Sequence, residues 1–214
     1  MFVELVGCPA CGKTHFMKLI SNKYTVLDFE YNIKHKTRTS KAFFLIKNTK
    51  NLLDLSYWKL KRLIKKQKIS NKAFYLRQFR LDYILRKKAL KMNENCFFSE
   101  NLINLSSYIF KNSILKNKFR DIEKFYSILD KNNMLSNFVI IYIESSCNNN
   151  FRAFVSRDGE KIGIDQYKTR KLNDKICMDY IVSKSKLPVY SFDNNYDMFS
   201  DQRFEMIVEH VLNF

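Results

Sequence analysis

Glycine and proline are scarce in this chain, four and two among 214 residues, and there are only three histidines and one tryptophan. No low-complexity linker and no internal repeat is present. No apolar run approaches the roughly eighteen residues that a membrane-crossing helix needs. The chain enters a short apolar run at Phe2 rather than a charged and apolar signal region, which predicts a cytoplasmic protein. Five cysteines, an odd number, read as reduced thiols in or near a core rather than as a disulfide framework. Cys96, Cys147 and Cys177 are single and far apart, so no second ligand pair completes a zinc site with Cys8 and Cys11. Acids are few as well: 21 against 38 lysines and arginines, a formal net charge of +17.

What is present suits one sizeable core. Hydrophobic residues make up 46% of the chain and aromatics 15%, which predicts a single α/β domain over 1–214. A surface this basic attracts polyanions, nucleic acid or an anionic membrane among them. Abundant lysine, asparagine, isoleucine and phenylalanine also fit the bias of an AT-rich genome, so part of the charge is compositional. Its placement is more informative: from Lys59 to Lys91 thirteen lysines and arginines face a single acid, Asp82.

Two of the four glycines fall within Gly7-Cys8-Pro9-Ala10-Cys11-Gly12-Lys13-Thr14, a complete G-x-x-x-x-G-K-[ST] phosphate-binding (Walker A) pattern. The flanks agree with it. Phe2 to Val6 is β-prone, and His15 to Lys23 carries Phe16, Met17, Leu19 and Ile20 at helical spacing. In such a P-loop the glycines let successive N–H groups turn inward on a phosphate, and the helix start beyond adds its dipole. Lys13 would reach the β- and γ-phosphates and Thr14 would hold Mg²⁺. The same stretch contains a C-x-x-C, which a thiol–disulfide oxidoreductase places between strand and helix, where the helix lowers the pKa of the first thiol. That reading assigns nothing to Gly7, Gly12, Lys13 or Thr14.

Apolar runs bounded by polar breaks predict strands at Phe2 to Val6, Thr25 to Phe29, Cys96 to Ser99, Phe138 to Ile143 and Val189 to Phe192. Helices are predicted at Asn101 to Leu115, Phe119 to Lys131, Tyr167 to Ser183 and Ser200 to Leu212, the last with Ser200 as N-cap. Strand–helix alternation of this kind predicts a parallel sheet covered on both faces. The interval 31–95 exceeds one crossover and reads as a helical insertion. One apolar stripe there runs through Leu52, Leu53, Leu55, Trp58, Leu60 and Leu63, and another through Phe74, Phe79, Tyr83 and Leu90; both read as core. Arg77, Arg80 and Arg86 recur near one helical side and could converge on an anion.

Acids follow the apolar runs where ligands collect in open α/β sheets. Asp28 and Glu30 end the second run, and Glu100 ends the third. Asp28 or Glu100 would take the proton of an attacking hydroxyl, and Glu100 could also bind Mg²⁺. After the fourth run, 144–166 holds Arg152 and Arg157 beside a glycine-containing turn, the makings of a lid that carries positive charge over a transferring phosphoryl group.

With the Gly7 to Thr14 loop, the acids after runs two and three, Val139 to Glu144 ahead of an arginine-bearing segment and a late Leu187-Pro188-Val189, the chain resembles the nucleoside and nucleotide kinase-like group of P-loop NTPases. The resemblance implies a three-layer fold with a five-stranded parallel sheet in the order 2-3-1-4-5, and ATP with Mg²⁺ as donor. It implies nucleotide contacts along Gly7, Cys8, Pro9, Ala10, Cys11, Gly12, Lys13, Thr14 and His15. The Asp-Arg or Glu-Arg pair usual after strand three in deoxynucleoside kinases is absent, as is their fuller arginine cluster. Asn101 to Asn104 also looks like P-loop proteins encoded with bacterial surface-polysaccharide genes. The expectation is an ATP-dependent phosphotransferase acting on a small, anionic, nucleoside, nucleotide or sugar-type acceptor, with Lys13, Asp28, Glu100, Arg152 and Arg157 as its catalytic set. A different class of function is a nucleotide-gated binding protein whose basic insertion grips nucleic acid or another polyanion.

Overall fold

A computed structural model of the chain describes residues 1–21, 23–26, 53–91, 95–98, 102–146, 151–152, 154–156, 163–194 and 200–213. Five strands form one sheet: β1 (Phe2–Val6), β2 (Thr25–Val26), β3 (Cys96–Phe98), β4 (Phe138–Glu144) and β5 (Val189–Asp193). Their order is β2-β3-β1-β4-β5, and every neighbouring pair is parallel. The central strands FVELV and FVIIYIE are almost continuously apolar because both of their faces are covered.

Eight helices can be traced among the described residues: α1 (Lys13–Ile20), α2 (Leu55–Lys66), α3 (Lys72–Ala89), α4 (Leu102–Ile109), α5 (Lys111–Leu115), α6 (Arg120–Lys131), α7 (Ile164–Ser185) and α8 (Ser200–Leu212). Side chains alternate across the strands and divide the core in two. Val3, Leu5, Val139, Ile141 and Ile143 pack with Phe16 and Ile20 of α1 and Phe204 and Val208 of α8. Val6, Ile140 and Tyr142 face the larger cluster built by α2, α3, α4, α6 and α7. The connection that steps outward from β1 to β2 runs through α1 on one face. Those that step back toward β5 use helices on the other face, as right-handed crossovers require. The direction therefore reverses around β1, and a crevice opens at the C-terminal ends of the strands there.

Several boundaries differ from the sequence pattern. The helix expected over Asn101 to Leu115 is two helices, α4 and α5, broken at Phe110. Ser106 and Ser107 turn their hydroxyls onto the carbonyls of Ile103 and Asn104, a back-bonding that bends helices, and Phe110 is drawn fully into the core against Phe125. The helix α7 starts three residues before Tyr167, capped by Gly163. The expected second strand is described only as far as Val26. Asp28, Glu30, Glu100 and Arg157 lie outside the described residues, as do 31–52 of the helical insertion and parts of the expected lid.

The stripes assigned to core are corrected as well. Leu60 and Leu63 are buried, with Tyr57 and Ile64, but Trp58 is 51% exposed, Leu55 66% and Phe74 51%. Apolar residues spaced by three and four cover more of a helix than one neighbour can hide, and packing selected the Tyr57, Leu60, Leu63 and Ile64 side. Arg77, Arg80 and Arg86 do not share one environment: Arg77 is exposed, whereas Arg86 is wholly buried.

Arg86 explains why a carboxylate can occupy the middle of β1. Glu4 is completely buried, faces α3, and pairs with the Arg86 guanidinium. Arg86 also donates to Asp82 one helical turn away (3.0 Å) and to the carbonyl of Met134 (3.3 Å), and lies 4.4 Å from the centre of the Phe138 ring. Burial pushes the Asp82 carboxyl up and the Arg86 guanidinium down, because each charge has lost its water. With two carboxylates against it the guanidinium keeps its proton, and the group ties α3 to the sheet. Replacing Arg86 with Met is expected to cost about 3–5 kcal/mol at pH 7, since it strands two buried carboxylates. Urea unfolding measures this, and the deficit should shrink as pH falls and the Asp82 carboxyl, pushed up by burial, takes up its proton.

Candidate functional site

The segment after β1 turns three times through backbone conformations that suit glycine. Gly7 has φ +157° and Gly12 +101°, and Ala10 between them has φ 63°. Cys8 to Cys11 form a tight turn closed by the Cys11 N–H on the Cys8 carbonyl at 3.3 Å, with Pro9 leading into it. Side chains are excluded at both glycines. A Cβ on Gly7 would lie 2.3 Å from the Ile143 carbonyl oxygen, and one on Gly12 would lie 2.5 Å from Asn194 Nδ2. Gly12 then caps α1, so the positive end of that helix opens onto the loop. Glycine-bounded turns leading into a helix start are the kind of backbone that can hold an anion.

Lys13 folds back into this cradle. Its ammonium donates to the carbonyls of Gly7 (2.7 Å) and Cys8 (3.1 Å) and lies 3.7 Å from Cys11 Sγ. Thr14 and His15 are exposed on the first turn of α1, and His15 Nε2 lies 2.8 Å from Asp201 Oδ1 of α8.

Two buried asparagines that the sequence pattern did not single out as site residues hold the loop in place. Asn104 of α4 accepts from the Gly7 N–H (3.4 Å) and donates to the Leu5 carbonyl (3.1 Å), fixing the exit from β1. Asn194, directly after β5, donates to the Cys11 carbonyl (2.9 Å), while its own N–H donates to the Glu144 carbonyl (2.6 Å). The signal for Asn194 was its position: a polar residue immediately after an apolar strand, at the same sheet edge as the loop. Asn104 sat inside a helical pattern, where nothing local distinguishes it.

Beside the loop lies a cleft of about 330 Å³, lined by Cys8, Cys11, the end of β4, Asp193 and two lysines of α7. Lys171 and Lys175 stand one turn apart. Lys171 donates to the Ser145 carbonyl (2.6 Å) and Lys175 pairs with Glu144; the pairing raises the Lys175 pKa. Arg152 is exposed and is not among the residues lining the cleft. Its neighbours Phe151 and Phe154 pack at a tilt against the Tyr167 ring, with centroids 5.3 and 5.2 Å apart, which anchors this short segment to the start of α7. Cationic side chains therefore do line the crevice, but from the helix after the expected lid rather than from Arg152. An i, i+4 lysine pair on that helix was the signal available in the sequence.

The thiols behave differently from those of a redox motif. Cys8, Cys11 and Cys177 are free and buried. Burial, with Cys11 and Asp174 adding to it, pushes the Cys8 thiol up to about 11, and the opposing pull of Lys13 and Lys171 is smaller. A thiol–disulfide mechanism needs the opposite shift. Among the described residues no cluster of three or more metal-ligating side chains occurs. No helix there is long and apolar enough to cross a membrane.

No family model matches the chain, and no curated protein matches it. Solved structures do. A deoxyadenosine kinase from M. mycoides with bound dCTP covers 100% of both chains with a TM-score of 0.55 at 19% identity. A deoxyadenosine kinase from M. mycoides with bound dATP gives 0.50 at 20%, again over 100% of both. The YorR protein from Bacillus subtilis, in complex with phosphorylated GDP, gives 0.52 at 15%, over 99% of this chain and 96% of that one. At these identities the likeness is one of fold: the chain has the α/β P-loop fold seen in nucleoside kinases.

The raised Cys8 thiol has two measurable consequences. At pH 7.5 its alkylation by iodoacetamide, followed by mass spectrometry, should run roughly 100-fold slower than that of a free cysteine, because so little thiolate is present. The folded chain holds the thiol proton more tightly than the unfolded chain, so this contribution to stability is intact below pH 9.0 and disappears as pH rises to about 11. A Cys8→Ser variant should show a weaker decline over that interval.

Proposed function

We propose that this protein is a cytoplasmic ATP-dependent kinase that transfers the γ-phosphoryl group to a small nucleoside- or nucleotide-type acceptor. The observation that carries this reading is the glycine-bounded cradle after β1, with the Lys13 ammonium folded into it. Two features there suit triphosphate: the N-terminal end of α1, which opens after Gly12, and a lysine with a short reach from the loop. The nucleotides bound to the deoxyadenosine kinases of similar fold support a nucleoside-type acceptor over a sugar.

Phosphoryl transfer asks the protein mainly for positioning and charge stabilisation. The acceptor hydroxyl oxygen bonds to the γ-phosphorus as the bond to the β-phosphate bridging oxygen breaks, and ADP leaves. The hydroxyl proton passes to a carboxylate, for which Asp28 and Glu100 are the proposed bases. Lys13 exchanges its loop carbonyls for phosphate oxygens and offsets their charge. Asn104 and Asn194 keep the cradle from relaxing, so that its N–H groups do not have to reorganise during the reaction. Lys171 and Lys175 add positive potential from α7, and Arg152 and Arg157 would join them when the segment 144–166 closes. The helical insertion expected over 31–95 would cover the acceptor.

Magnesium fits the first turn of α1. The exposed Thr14 hydroxyl, next to Lys13, would hold it, with Glu100 as the proposed second ligand. When bound, the ion would supply positive charge that offsets the charge of the transferring phosphoryl group.

The deciding experiment is thermal unfolding with and without ATP-Mg²⁺ for the wild type and Lys13→Ala. At ATP near a hundred times its Kd, wild type should gain about 2.7 kcal/mol, a rise of about 5–10 °C for a domain of this size. The variant should lose most of that rise while unfolding normally without nucleotide. Incubation with γ-labelled ATP and a panel of nucleosides, nucleotides and sugars then identifies the acceptor. No shift in wild type would overturn the proposal.

A further inference from the structure

The outward face of α2 is left unused by the phosphate-loop site. The sequence of α2, LSYWKLKRLIKK, contains no acid. Its Tyr57, Leu60, Leu63 and Ile64 side is buried, so Trp58, Lys59, Arg62, Lys65 and Lys66 project to solvent together. Lys61 swings over the Trp58 ring, its ammonium 4.4 Å from the centre. Among the described residues none of these five cations is paired with a carboxylate. Nearby acids are committed elsewhere: Asp54 holds Ser56, Tyr83 and Lys87, Asp82 holds Arg86, and Asp121 accepts from Gln67. The Lys61 pKa is lowered, by desolvation first and then by the like charges of Lys65 and Arg80.

From Trp58 to Lys66 the row spans about 12 Å along the helix axis. Cations recurring each turn beside an exposed aromatic ring is the pattern that holds a single strand, with phosphates on the charges and a base on the ring. A bilayer suits the face poorly. An interfacial helix needs its apolar side free, and the apolar side of α2 is spent on the core, which leaves only Leu55 and Trp58 outward. We propose that the outward face of α2 binds single-stranded nucleic acid, with Trp58 as the stacking platform and Lys59, Arg62, Lys65 and Lys66 as the groups that neutralise phosphates. This does not depend on what the phosphate loop does.

The probe is a fluorescein-labelled 15-nucleotide oligo-dT, titrated with the full-length protein from 50 to 300 mM salt. Trp58 is the only tryptophan in the chain, so its fluorescence reports on this face directly and should be quenched as the strand binds. Lys59→Gln, Arg62→Gln and Lys65→Gln combined should weaken binding and flatten the slope of log K against log salt by about 2, or about 0.7 for each phosphate no longer neutralised. By anisotropy, Trp58→Leu should weaken binding roughly 5- to 150-fold with the slope kept. A control of equal charge, Lys116→Gln with Lys118→Gln and Lys131→Gln, should leave both affinity and quenching unchanged. All variants should keep the wild-type melting temperature, and any ATP-induced rise in it, which separates this test from that of the kinase reading. The proposal fails if Trp58 is not quenched, if the control weakens binding as much as the α2 set does, or if phosphatidylserine vesicles quench Trp58 while the oligonucleotide does not.

Discussion

Everything at the crevice depends on how closely the backbone after β1 approaches its neighbours. Gly7 sits so near the Ile143 carbonyl, and Gly12 so near the Asn194 side chain, that neither position has room for a methyl group. That closeness lets β1, β4 and β5 converge on one loop. It also fixes the loop from three directions: Asn104 from α4, Asn194 from β5, and the sheet itself. A loop held in this way does not have to reorganise to meet a ligand, which gives a preorganised site its strength. Ala10, a non-glycine residue at positive φ, indicates how firmly the surroundings hold this path.

Charge is divided sharply between the inside and the outside of the molecule. Inside, Glu4, Arg86 and Asp82 compensate one another, and Arg86 is the only one of the thirteen cations between Lys59 and Lys91 that is fully buried. The lone acid of that stretch is spent on it. The exterior of α2 is consequently left with cations alone, and its single-sign face is a result of packing as much as of composition. On the opposite side of the site, Lys171 and Lys175 are drawn toward the end of β4 by Ser145 and Glu144. The cleft thus has positive groups poised beside carboxylates, close to the ammonium of Lys13.

The phosphate loop, the strand before it and the helix after it were legible from residues 2–20, because the conformations involved are local. Only glycine tolerates the turns at 7 and 12, and a helix-period apolar pattern follows at once. The parallel α/β character was legible in the same way, from short apolar runs alternating with longer helical ones. Sequence patterns failed where burial had to be divided among competing faces. Trp58, Leu55 and Phe74 carried the same periodic signal as Leu60 and Phe79, yet only the latter face the core. Along the chain Arg86 resembles the surface arginines near it, and only Glu4, across from it in space, sets it apart.

By itself, then, the sequence determined the elements whose geometry is set within a few residues: the glycine-bounded loop, the lysine at its end, and the alternation that builds the sheet. Tertiary structure decided which distant groups meet them. Asn104 and Asn194 lie 97 and 183 residues from the loop atoms they hold, and Lys171 and Lys175 reach the crevice only because α7 packs along β4. No periodicity encodes such encounters, since they depend on where whole helices settle once the two apolar faces of the sheet have been covered.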